Sequence, residues 1–97
     1  MAEEPSMTMT EVADQIMDAY RKGSTITTAT MGVLDMPLED EPRTLERAAM
    51  ARTNGAVVVY SRRVEGERAL WERLTISGPP PVVAWFYREF DVEQPEL

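Results

Sequence analysis

Seven arginines fall in the middle of the chain: Arg43, Arg47, Arg52, Arg62, Arg63, Arg68 and Arg73. Arginine carries a planar fork of donors that matches phosphate oxygens and the guanine edge. Arg43 and Arg47 lie four apart, so they share one face of a helix. Arg62, Arg63 and Arg68 flank Glu65-Gly66. The chemistry such a set suits is anion binding, with nucleic-acid phosphate the first class to consider. Other chemistries lack their residues. There is no cysteine and no histidine, so a thiol nucleophile, a histidine relay and a soft metal site are excluded. No glycine loop of the phosphate-cradling kind is present. Glu39-Asp40-Glu41 lacks the alternating oxygen ligands and central glycine of a calcium loop. No spacing sets two carboxylates across a pocket. An enzyme is therefore not expected, and neither is a cofactor or a metal.

The charge is unevenly placed. The 97 residues carry 17 acids and 10 bases, for a net charge of −7. Residues 1–41 contribute −7, residues 42–76 contribute +3 and residues 77–97 contribute −3. A basic middle thus sits within an acidic frame, and fields act through patches rather than totals. A GC-rich genome would also enrich arginine over lysine. Length and composition describe one domain of ordinary globular type. No run is long enough to span a membrane, and the acidic N-terminus does not read as a signal peptide. The lack of cysteine fits a reducing cytoplasm.

Residues 1–7 are acidic and broken by Pro5, and are expected to fray; 8–90 form the domain and 91–97 an acidic tail. Helix 1 opens at Thr8, where Thr8 and Glu11 have capping-box spacing. Val12, Ile16 and Tyr20 make its apolar stripe, and Gly23 stops it. Threonine-rich residues 24–30 predict a short strand at Thr25–Thr27. A second helix is expected to start at Thr27 or Thr28 and to run through Leu34 or Asp35. Helix 3 spans about Glu41–Thr53, with Leu45, Ala48, Ala49 and Arg52 on one side, and Asn54-Gly55 stops it. Val57–Val64 and Arg68–Ile76 alternate around Glu65-Gly66, which predicts an antiparallel hairpin. Ser77-Gly78-Pro79-Pro80-Pro81 is a stiff break. Val82, Val83, Trp85, Phe86 and Phe90 then mark a fourth, aromatic helix over about Pro81–Phe90.

This order, and the run TLERAAMART, Asn54-Gly55, AVVVYSRRVEGERALWERL, resemble the winged-helix family over roughly residues 8–76. The resemblance implies an α+β fold: a three-helix core, a two-stranded wing and, here, an extra C-terminal helix. It implies a small DNA-binding transcriptional regulator, with the third helix in the major groove and the wing on the flanking backbone. Arg43, Thr44 and Arg47 would then face DNA from the helix, and Arg62, Arg63 and Arg68 from the wing. A homodimer is expected, because two half-sites add specificity. Val82, Trp85, Phe86 and Phe90 are its expected contact.

Plainer readings stand beside these. Arginines on an exposed helix commonly pair with neighbouring acids, here Glu39, Asp40 or Glu46. The alternating charges at the hairpin tip could be cross-strand pairs that hold register. The aromatics of the last helix could fill the core. Asp35, Glu39, Asp40 and Glu41 lie where phosphates would approach and would repel them. The alternative function is an acidic protein-interaction domain without DNA binding, of a kind that a phage could encode to act on a host factor.

Overall fold

The computed structural model describes residues 8–92. Helix α1 is Met9–Arg21, strand β1 is Thr27–Pro37, and a single 3-10 turn follows at Leu38–Asp40. Helix α2 is Glu41–Thr53, strands β2 and β3 are Val57–Glu65 and Arg68–Gly78, and helix α3 is Pro80–Val92. The fold is α+β, with three helices and one three-stranded antiparallel sheet in the order β1-β3-β2.

Local signals explain most of these boundaries. Thr8 accepts from the Glu11 N–H at 3.0 Å, and Glu11 Oε1 accepts from the Thr8 N–H at 2.8 Å, closing a capping box. Both α1 and α2 end in the same way. The N–H groups of Gly23 and Ser24 reach back to Tyr20 and Ala19, and those of Gly55 and Ala56 to Arg52 and Ala51. Each glycine has positive φ, so each helix closes with a Schellman motif. The hairpin turns at Gly66-Glu67, one residue past the expected pair; Gly66 has φ +62 and suits the first place of a two-residue loop.

The expected second helix is a correction. Residues 27–37 are strand, paired with β3 along their whole length. Gly32 has φ +84, which no right-handed helix contains, and Thr27, Thr28, Thr30 and Val33 favour extension. The expected two-stranded wing is therefore corrected as well: its strands belong to a three-stranded sheet, and one α-helix, not two, separates β1 from β2. The sheet bends where β1 bulges at Met31–Gly32 and β3 carries an additional residue opposite Tyr60.

All three helices contribute to one core on one face of the sheet. The inward side chains of β3 are Ala69, Trp71, Leu74 and Ile76, each 0% exposed. They meet Val58, Leu34 and Met36 from the flanking strands and Val83, Phe86 and Phe90 from α3. Ala13 and Ile16 bring α1 into the same cluster, and Arg88 ties α3 to Asp14 of α1 at 2.8 Å. Helix α2 is turned from its expected orientation. Its buried side is Glu41, Thr44, Arg47, Ala48 and Ala51, while Leu45 and Met50 are exposed. Two alanines let its backbone approach closely, and polar residues on the inner side hide that side from a hydrophobic pattern.

Candidate functional site

The buried side of α2 begins at Glu41, whose side chain is only 7% exposed. A carboxylate taken from water needs partners, and two side chains supply them. Arg62 of β2 forms a fork on it, through Nε to Oε2 and through Nη2 to Oε1 at 2.6 Å. Trp71 of β3 donates its indole N–H to Oε2 at 2.8 Å. Tyr60 stacks on Trp71, with ring centroids 3.9 Å apart and planes 2° apart. The Arg62 hydrogen bond holds the Glu41 carboxyl below the usual carboxylate range, and outweighs burial, which acts the other way. This clamp fixes the start of α2 to the hairpin. The signal that could have found it is Glu41 in the first turn of a helix whose inner face also holds Thr44 and Arg47.

The other residues expected to meet DNA are distributed as follows. Thr44 is buried at 5% exposure. Arg47 is buried at 9%, lies 5.5 Å from the centre of the Phe90 ring and is 3.8 Å from Glu89. Arg43 is exposed on the first turns of α2. At the hairpin tip Arg63 pairs with Glu65 and, at 3.4 Å, with Glu72. Arg68 pairs with Asp35 of β1 at 2.6 Å. The fold thus gathers Arg62, Arg63 and Arg68 near one end of the hairpin, each against a carboxylate of the same chain. It takes Thr44 and Arg47 out of solvent, because α2 packs through the side that carries them.

The expected dimer contacts divide in two. Phe86 and Phe90 lie in the core at 0% and 6% exposure, edge to face and 5.0 Å apart. Val82 and Trp85 are half-buried. With Met50, Asn54 and Pro81 they line an open apolar groove of about 290 Å³ between α2 and α3.

The residues least legible beforehand lie on the face of the sheet opposite the helices. Register aligns Val57, Ser77 and Thr28 in one row and Val59, Thr75 and Thr30 in the next. Hydroxyls bond within the rows, Thr28 to Ser77 at 2.7 Å and Thr30 to Thr75 at 3.2 Å. Val57, Val59 and Val33 are 61%, 59% and 56% exposed. Among the described residues, no group of three His, Cys, Asp or Glu is placed to hold a metal ion. None of their helices is long and apolar enough to cross a membrane. Compared with protein-family models, curated proteins and solved structures, the chain matches none.

Proposed function

We propose that this domain is a protein-interaction module. The observation that carries the reading is how its side chains are committed. Arg47, Arg62, Arg63 and Arg68 are each set against an acid of the same chain, and Thr44 is inside. Meanwhile Val33, Val57 and Val59 on the sheet, and Met50 on α2, are exposed, with no covering element among the described residues. Exposed apolar area of that kind marks contact surfaces more than it marks phosphate readers. The net charge of −7 supports the same choice. The test is selection of random displayed peptides on the immobilised full chain, with synthetic copies of the selected peptides titrated in solution. Saturable micromolar binding is expected. A chain that binds no peptide but binds duplex DNA overturns the reading.

DNA binding by a transcriptional regulator is the second reading, favoured by the collection of Arg62, Arg63 and Arg68 near one hairpin end. The winged-helix likeness belongs with it. Helix α1, helix α2 and the hairpin come in the order that layout would have, but strand β1 occupies residues 27–37, where the second helix would be. In that reading two copies would meet at the groove of Val82 and Trp85, and the surface pairs of Arg63 and Arg68 would open to phosphate. Exposed pairs contribute only about 0–1 kcal/mol each, so they would open readily.

A further inference from the structure

This inference rests on the protein-interaction reading and names the surface and the partner's chemistry. It begins at Arg73, the one non-glycine residue with positive φ among the described residues, at +57. An L-residue with a long side chain rarely adopts that conformation, and such outliers persist where function retains them. Arg73 lies in the bulge of the central strand. The inward positions of β3, at Ala69, Trp71, Leu74 and Ile76, are all filled and buried. Arg73 is exposed, while its inward neighbours Trp71 and Leu74 are buried, which puts Arg73 with the open face rather than the core.

The guanidinium of Arg73 has no ion-pair or hydrogen-bond partner among the described residues; only its carbonyl is engaged, by Thr75. The other charges on that face are matched: Glu72 with Arg63, and Asp35 with Arg68. The threonine and serine hydroxyls beside it are matched to one another. What remains is one cation in the central strand, with Val33 opposite Glu72, Val59 opposite Thr75 and Val57 opposite Ser77 on the strands beside it. We propose that this face docks a partner protein segment that carries a single carboxylate between apolar side chains.

Charge selects this occupant over two others. A second copy packed face to face would offer Arg73 no unpaired carboxylate from the same face, because Glu72 and Asp35 are already tied to Arg63 and Arg68. Nucleic acid needs many phosphates neutralised, and one free cation cannot do that. A carboxylate on an apolar segment answers each feature. It meets the guanidinium through a fork of hydrogen bonds, and its flanking side chains cover the valines.

The experiment uses peptides selected on the full chain, titrated against wild type, Arg73→Gly, Arg73→Lys, Val59→Glu and, in the α2–α3 groove, Met50→Glu. The selected peptides should share an Asp or Glu flanked by apolar residues. Arg73→Gly and Val59→Glu should each weaken binding by at least about tenfold, Arg73→Lys by less, and Met50→Glu not at all. Amide shifts of Val33, Val57, Val59 and Arg73 should move on binding. Arg73→Gly should melt at a higher temperature than wild type, so its weaker binding cannot come from unfolding. The inference is overturned by a library that yields no binder, by peptides without a carboxylate, or by equal affinity for Arg73→Gly. Shifts confined to Met50, Val82 and Trp85 overturn it while leaving the protein-interaction reading intact. DNA binding in place of peptide binding overturns that reading as well.

Discussion

Glu41 shows how one carboxylate can join two elements. Its oxygens receive Arg62 and Trp71, so the helix start and the hairpin share one buried charge. In Glu41→Ala, Arg62 can turn to water, since its side chain is 43% exposed, but the Trp71 N–H is left buried without an acceptor. That orphan should cost about 1–3 kcal/mol at neutral pH, read by urea denaturation. The pH dependence has a definite sign. The folded-state pKa of Glu41 is depressed, so the clamp contributes fully above the unfolded value of about 4.3. Its contribution is lost as pH falls through the folded value. Wild type should therefore lose more stability on acidification than Glu41→Gln, whose side chain does not titrate. Equal acid limbs would contradict the clamp. Arg73 acts in the opposite direction, because its backbone conformation is unfavourable for any residue with a Cβ. Arg73→Gly should raise stability by about 1 kcal/mol in the same assay.

At the scale of elements, Gly78 sets how β3 meets the loop after α2. A Cβ built there would lie 2.8 Å from Ala56 Cα and 3.1 Å from the Gly55 carbonyl oxygen. Both neighbours are backbone, so neither can swing aside. Gly78→Ala should destabilise the fold by about 1–3 kcal/mol, seen as a lower urea midpoint. Where signals were local, the elements could be read from sequence. The capping box at Thr8, the stops at Gly23 and Gly55 and the span Glu41–Thr53 are as read, and so is the hairpin apart from a turn one residue further on. Where tertiary pairing decided, they could not. Residues 27–37 hold good N-cap threonines, yet β3 needs a neighbour on its far side and β1 fills that place. The orientation of α2 was hidden because its inner side is partly charged: Glu41 and Arg47 enter the core region with partners brought from β2 and α3. The open sheet face could not be foreseen, because alternation in each strand does not say which face the helices cover.

At the scale of the whole molecule, the described residues form a sheet covered by helices on one side and open on the other, with most of the central cations tied to acids of the same chain. On the protein-interaction reading it should sediment as a monomer at high micromolar concentration. Phe86 and Phe90, two of the four large apolar side chains of α3 expected at an interface, are already used inside. A wild-type dimer that Trp85→Ala converts to monomer would instead favour the second reading, since losing a central anchor costs an interface at least ~2 kcal/mol. The central claim is that most of the central arginines are paired with acids of the same chain and do not present a phosphate-binding face. It is tested most directly by titrating the labelled protein with mixed-sequence duplex DNA at ~50 mM salt, where phosphate-driven binding is strongest. The account predicts no binding there, and none in Arg62→Ala or Arg63→Ala. Saturable binding that weakens steeply as salt is raised, with a slope reduced by about one in Arg63→Ala, would contradict it.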